Sequence, residues 1–381
     1  MDVFRMTPKR WALVFGGLVL LLVVVVLAAG WFYSGQIEDG ALLVKHDPTK
    51  YEVEVAALDD GLVTLRFPTE EALHKEPGTI GLEWPGGYGR IGETIQVDGS
   101  EAIREYTRLE GNLAVGDLVR ADKFAFPGDP ARAHGIPFEE IEFTSPLGKL
   151  MAWQINGSED TWVIFVHGKG ASRREALRML PVVGRAGLPS LVITYRNDEG
   201  APADPSGYYW YGITEWQDLE AAAQYSLANG AADLVVVGYS MGGGIVVNFL
   251  YQSPLADRVV GVILDSPMLD LGATLDLAAQ NRNLPAFLTP VAKTISGFRF
   301  GIDWEALDYL PRADEISVPI LLFHGGADDT VPVSTSETLA ESLPDLVTYL
   351  LFKDAPHVGA WNVDSETYEA AVSEFIDRVT R

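Results

Sequence analysis

Ser240 stands in Gly238-Tyr239-Ser240-Met241-Gly242, after the apolar run Asp233-Leu234-Val235-Val236-Val237 and before a helical stretch that opens near Ile245. Gly-x-Ser-x-Gly between a strand and a helix holds a serine hydroxyl out at a tight turn as a nucleophile. Glycines at 238 and 242 leave room where a Cβ would clash, and the positive end of the next helix favours negative charge near Ser240. The competing reading is a Gly-rich turn whose serine only caps the helix.

A nucleophilic serine needs a base. Six histidines are available: His46, His74, His134, His167, His324 and His357. The first three precede the strand–helix alternation, and His167 and His324 each end an apolar run as His-Gly, which reads as a structural turn. His357, in Asp354-Ala355-Pro356-His357-Val358-Gly359, follows the last strand-like run and precedes the final helix, so it is the base of choice. Its alternative is a loop histidine packed on Trp361.

The orienting acid belongs between serine and histidine in chain order. Asp328 in His324-Gly325-Gly326-Ala327-Asp328-Asp329 is the first choice, Asp329 the second and Asp265 the third. The oxyanion needs preplaced backbone N–H donors. The amide after the nucleophile is that of Met241. The second is expected from His167-Gly168-Lys169-Gly170, at the Lys169 amide, with no part for the Lys169 side chain. A metal held by His324, Asp328 and Asp329 lacks a third His-containing cluster, so no metal and no cofactor is expected.

These residues must be positioned by a sheet. Runs 161–166, 191–195, 233–237, 259–264 and 320–323 are continuously apolar, as in parallel strands covered on both faces, and helical patterns at 172–186 and 214–229 intervene. Thr214 to Gln217 has the spacing of a capping box. The fold class is α/β with a mostly parallel, doubly wound sheet, whose chemistry belongs beyond the carboxyl ends of the strands.

Residues 36–125 differ. Short alternating runs are broken by turn signals: Asp59-Asp60-Gly61 between 51–55 and 62–67, and Pro85 to Gly89 between 81–84 and 90–92. This predicts a small β-rich accessory module, followed by a linker at 126–137 and the catalytic domain at 138–381. Ahead of it, Trp11 to Tyr33 carries no charge, and Leu18 to Leu27 is purely aliphatic. That length crosses a bilayer as a helix. The apolar run exceeds a signal peptide's h-region, although Ala28-Ala29-Gly30 offers a cleavage-like stretch. Arg5, Lys9 and Arg10 precede the span and Glu38 and Asp39 follow it, so residues 1–10 are expected in the cytoplasm, 11–33 as an uncleaved anchor and the body outside.

The net charge is −25, and with Arg5, Lys9 and Arg10 against Asp2 in the first 33 residues the body carries −27, with scattered cations, which argues against nucleic-acid binding. Cysteine is absent, which removes disulfide scaffolds, thiolate metal sites and a Cys nucleophile.

Four ordered landmarks, His-Gly-x-Gly at 167–170, Gly-Tyr-Ser-Met-Gly at 238–242, His-Gly-x-x-Asp-x-x-Val-Pro at 324–332 and His357, resemble the α/β-hydrolase fold family over residues 138–381. Within it the chain is similar to membrane-anchored serine hydrolases and serine-aminopeptidase-like hydrolases. The resemblance implies Ser240, Asp328 and His357 as a triad, with Met241 and Lys169 amides as oxyanion hole. It also implies that 268–317 forms a lid, here rich in leucine and phenylalanine. Its apolar residues fit either an acyl substrate or packing onto the sheet. Tyr208 to Tyr211 would rim the cleft or fill the space between sheet and helix.

The expected function is cleavage of carboxylic ester-like bonds in a small-molecule or lipid-like acyl substrate, through an acyl-enzyme. Alternatives are an aminopeptidase, thioesterase or acyltransferase on the same triad, or an inert membrane-tethered scaffold. Protein partners are not legible.

Overall fold

The structure is a computed structural model that describes residues 8–46, 48–69 and 77–380. Residues 1–7, with Arg5, and His74 lie outside them. Helix α1, Pro8–Ile37, contains the whole apolar run and presents Trp11 and most of Leu18 to Leu27 outward, with no charged side chain between Trp11 and Tyr33. It is long and apolar enough to cross a membrane. A π-turn at Glu38–Leu42 ends it.

Strands β1 (Val53–Asp59), β2 (Leu62–Arg66), β3 (Ile80–Trp84), β4 (Gly87–Asp98), β5 (Glu101–Glu110) and β6 (Leu118–Asp122) close into an antiparallel barrel in the order β1-β2-β5-β4-β3-β6. Closure removes the sheet edges that a small module would otherwise leave open. Alternate residues such as Val63 and Leu65 point into its core with Val55, Leu82 and Ile91. The first expected hairpin is β1–β2. The second turns at Pro85-Gly86, so Gly87 and Gly89 belong to β4 and not to a loop. They are glycines because a Cβ would run into the Trp84 ring at Gly87 and the Tyr106 ring, at 2.5 Å, at Gly89. The barrel is tied to the body that follows it by Asn362, whose Nδ2 donates to the Thr79 and Lys123 carbonyls at 2.8 and 2.9 Å, and by Arg174 to Asp122. A short helix, Pro130–His134, occupies the expected linker.

The body is an eight-stranded sheet. Strands β7 (Glu139–Ser145) and β8 (Gly148–Ile155) form an antiparallel hairpin at one edge. The rest are β9 (Thr161–Val166), β10 (Ser190–Ile193), β11 (Asp233–Tyr239), β12 (Val259–Asp265), β13 (Ile320–Gly325) and β14 (Val347–Phe352), parallel to one another. The order is β14-β13-β12-β11-β9-β10-β8-β7. β9 to β13 are buried on both faces: Ile164, Val236 and Leu264 face one core, Val163, Val235 and Val237 the other. This is why they read as continuous apolar runs.

The longer helices of the body are α2 (Trp216–Ala228), α3 (Met241–Gln252), α4 (Leu271–Asn281), α5 (Leu288–Phe300), α6 (Val333–Ser342) and α7 (Ser365–Val379). The helix expected over 172–186 is a 3₁₀ turn, Arg173–Arg178, followed by a short helix, Leu180–Arg185, with Pro181 at the second helix's start, where a missing N–H costs nothing. The capping box at Thr214 does not form. The Glu215 carboxylate is buried and instead accepts the Trp210 and Gly212 N–H groups at 2.7 and 3.0 Å. Helices α4 and α5 occupy the expected lid region.

Candidate active site

Ser240 ends β11 and starts α3 with φ 50° and ψ −118°. An L-residue held there carries on the order of 1–3 kcal/mol of strain, which its surroundings must offset. The surroundings demand glycine on both sides: a Cβ on Gly242 would strike the Val166 carbonyl, and one on Gly238 would meet the Gly242 oxygen at 2.7 Å.

Two loops converge on that turn. His357, after β14, has Nε2 2.8 Å from Ser240 Oγ and Nδ1 2.7 Å from Asp328 Oδ2. Asp328, after β13, accepts the Thr330 and Val331 N–H groups on Oδ1 at 2.9 and 2.8 Å. Burial alone would raise this carboxyl. Hydrogen bonds from His324 and His357, the charge at His357 and the Val331 amide outweigh it and hold Asp328 well below the usual carboxylate range. Ser240, His357 and Asp328 are therefore in one hydrogen-bonded line. Asp329, the second choice for the acid, is solvent-exposed and its carboxylate accepts from Thr330 Oγ1 at 3.2 Å. Asp265 sits under the site, fully buried, accepting from Tyr368 OH at 3.1 Å, and burial pushes it up to about 6.

The His167 and His324 rings bond to groups other than Ser240. His167 stacks on Tyr195 and bonds to Asp198 at 2.9 Å. His324, with no exposed surface, bonds to Ser336 Oγ at 2.7 Å and comes within 3.2 Å of Asp328 Oδ2. Sequence reasoning missed this contact, although the i, i+4 spacing in the 324–332 motif carries it.

Sequence reasoning also missed Glu175 and Arg178. Glu175 Oε2 accepts the Gly168 N–H at 2.8 Å, fixing the turn that presents Lys169. Arg178 Nη1 donates to the Val358 carbonyl at 2.7 Å, fixing the residue after His357. The two charges are buried 3.7 Å apart. A charged pair three residues apart ahead of an apolar run reads in sequence as a surface helix, so nothing marked it.

Ser240, Met241, Lys169 and His357 share the wall of one cavity of about 410 Å³. That volume suits a small-molecule or acyl ligand. Lid residues Leu271, Leu275, Leu284 and Leu288 give it an apolar side. A further wall is unexpected: Tyr33, Gln36, Ile37, Gly40 and Ala41 come from the end of α1 and its turn. That segment is stitched to the 207–211 loop by Tyr208 OH to Glu38 (2.6 Å) and Tyr211 OH to the Ala41 carbonyl (2.8 Å). Lys169 Nζ donates to the Gly40 carbonyl at 2.6 Å, and burial, with Lys45 nearby, pulls its ammonium down to about 8. So Tyr211 both lines the cleft and packs inside, and the Lys169 side chain holds the turn that follows α1.

The Bacillus subtilis uncharacterized protein YqkD is 25% identical over 255 residues, 64% of this chain and 82% of that protein. The Mycobacterium tuberculosis uncharacterized protein Rv2307c is 22% identical over 227 residues, 58% and 71% respectively. The Pyrococcus furiosus esterase Pf2001 superposes with a TM-score of 0.55 at 24% identity, covering 67% of this chain and 96% of that one, which is a likeness of fold. The Alpha/beta hydrolase family model matches residues 163–374, more than half of the chain, including the loops that carry Lys169, Ser240, Asp328 and His357. The chain belongs to the alpha/beta hydrolase family.

Proposed function

We propose that this protein is a membrane-anchored serine hydrolase that cleaves carboxylic ester bonds. The observation that carries the reading is the line Asp328–His357–Ser240, with contacts of 2.7 and 2.8 Å, opening into the cavity. His357 Nε2 takes the Ser240 Oγ proton as Oγ attacks the ester carbonyl carbon. The carbonyl oxygen becomes an oxyanion, for which the Met241 and Lys169 amides are the donors, each worth about 3 kcal/mol of barrier. Collapse breaks the acyl C–O bond, and the alcohol leaves with the proton from His357. Water then gives its proton to His357, attacks the acyl-enzyme and frees the acid and Ser240. Asp328, ionised over the whole working range, keeps Nδ1 protonated and stabilises the imidazolium.

Esters are favoured over amides because an alkoxide leaves with less help. The apolar lid wall favours an acyl chain over a charged amino terminus. The domain reading is an anchor within α1, a barrel as accessory module and a catalytic domain from 138 onward. The anchor's preceding cations keep the N-terminus cytoplasmic and the catalytic domain extracytoplasmic.

The test is a matched set of p-nitrophenyl esters, a thioester and a p-nitroanilide with one acyl chain, offered to the full chain in detergent. Ester hydrolysis at least tenfold above the anilide, lost in Ser240→Ala, is the expected result. A preference for the anilide would move the reading to a peptidase. No turnover of any member by folded protein would leave the scaffold.

A further inference from the structure

The end of the anchor is part of the catalytic cavity, and that fixes where the cavity lies relative to the bilayer. The apolar run closes with Trp31, Phe32 and Tyr33, the residue types that settle at the membrane–water boundary. A helix rises 1.5 Å per residue. Ile37, on the cavity wall, is thus only about 6 Å along the axis from Tyr33, within the headgroup layer that flanks the hydrocarbon.

Lid helix α5 lies along the same stretch. A Cβ on Gly30 would meet Val291 at 2.6 Å and Ile295 at 2.8 Å, so the two helices touch at a position that still belongs to the apolar run. Arg299 locks the pair: its guanidinium sits 4.1 Å from the Trp31 ring centre and donates to Ser34 Oγ at 2.6 Å. Around this junction large apolar side chains face outward. Phe298 is 91% exposed, Phe287 59%, Trp31 57% and Phe32 61%. A phenylalanine that exposed in water is unfavourable, whereas beside a membrane helix it lies at the depth of lipid.

We propose that the cavity opens toward the leaflet from which the anchor emerges and that its substrate is an ester-linked lipid held in that leaflet. The inference rests on the hydrolase reading above and adds the substrate's class and its route. The acyl chain enters between α1 and the leucines of the lid. The ester reaches Ser240, the acyl C–O bond breaks as described, and the alcohol portion stays at the headgroup level.

The test uses the full chain in nanodiscs of diether phosphatidylcholine, which has no ester to cleave, with 1-oleoylglycerol as probe and p-nitrophenyl butyrate as water-borne reference. At constant bulk probe, diluting the probe with diether lipid is expected to lower oleate release in proportion to its surface fraction, while butyrate hydrolysis stays unchanged. Oleate release that ignores surface dilution, or no oleate release while the butyrate ester is cleaved, overturns the lipid route and leaves the hydrolase standing. Loss of both, with no fluorophosphonate labelling, overturns both readings. Because the chain has no cysteine, Phe298→Cys creates a unique label site. A bimane there is expected to be quenched by acyl-chain nitroxide lipids more strongly than one at Ser373→Cys, an exposed position on α7, which packs on the opposite face of the sheet. Equal or absent quenching at residue 298 contradicts the proposal.

Discussion

The Glu175 carboxylate accepts the Gly168 backbone N–H at 2.8 Å, and so a side chain from the 3₁₀ turn after β9 holds the peptide that precedes the Lys169 amide. Three residues on, Arg178 reaches the loop of His357 through the Val358 carbonyl. The two loops to which the proposed mechanism assigns the oxyanion donor and the base are thereby braced by one buried ion pair.

Glu175 is accordingly a positioning residue. Glu175→Ala is expected to lower kcat by about 10-fold or more with little change in KM, since a misplaced donor is lost in the transition state. Glu175→Gln recovers much of that loss, because its amide oxygen still accepts the Gly168 N–H. Steady-state kinetics on a p-nitrophenyl ester decides it, and equal losses in both variants would point to the charge beside Arg178.

The two neighbouring acids separate sharply. Asp328→Asn should reduce kcat by about 10⁴-fold, because an amide in place of the carboxylate selects the wrong His357 tautomer. Asp329→Asn, at an exposed side chain, should stay within a few-fold of the parent. Rates for the two purified variants, with circular dichroism to verify folding, make the comparison.

Asp265 gives stability a pH dependence of unusual sign. Burial raises its folded carboxyl to about 6, against about 4 in the unfolded chain, so between those values the folded state binds more protons. Its contribution is full below about pH 4 and is lost as pH rises through about 6. Asp265→Asn removes that loss. The variant should exceed the parent by about 1–3 kcal/mol near neutral pH and match it near pH 4. Urea midpoints at the two pH values test this.

In the proposed reaction Lys169 contributes its amide, while its ammonium holds the turn after α1. Lys169→Met should keep kcat within a few-fold while costing about 1–2 kcal/mol through the lost bond to the Gly40 carbonyl. A collapse of kcat at unchanged stability would give the ammonium a part in the chemistry.

The site was legible where local chemistry dictates backbone shape. Gly238 and Gly242 around Ser240 announce a turn that only glycine permits, and β9 to β13 announce burial on both faces. The helix α1 was legible because its apolar run is long and uninterrupted by charge. Illegible were features set by distant partners. β7 and β8 form an edge hairpin whose mixed, half-exposed residues lack a clean period. Gly87 and Gly89 read as loop until the rings of Trp84 and Tyr106 lie over them. Thr214 and Gln217 have capping-box spacing, yet the buried Glu215 carboxylate takes the available N–H groups. The joining of α1 to the cavity wall depends on Tyr208 and Tyr211 meeting residues 38–41, a contact across 170 positions.

The most direct measurement of the central claim is covalent labelling of the full chain with an alkyl fluorophosphonate, followed by peptide mass spectrometry. The adduct is predicted on Ser240, abolished in Ser240→Ala and strongly slowed in His357→Ala, with both variants folded. An unlabelled parent protein, or an adduct that persists on another residue when Ser240 is removed, would contradict the account.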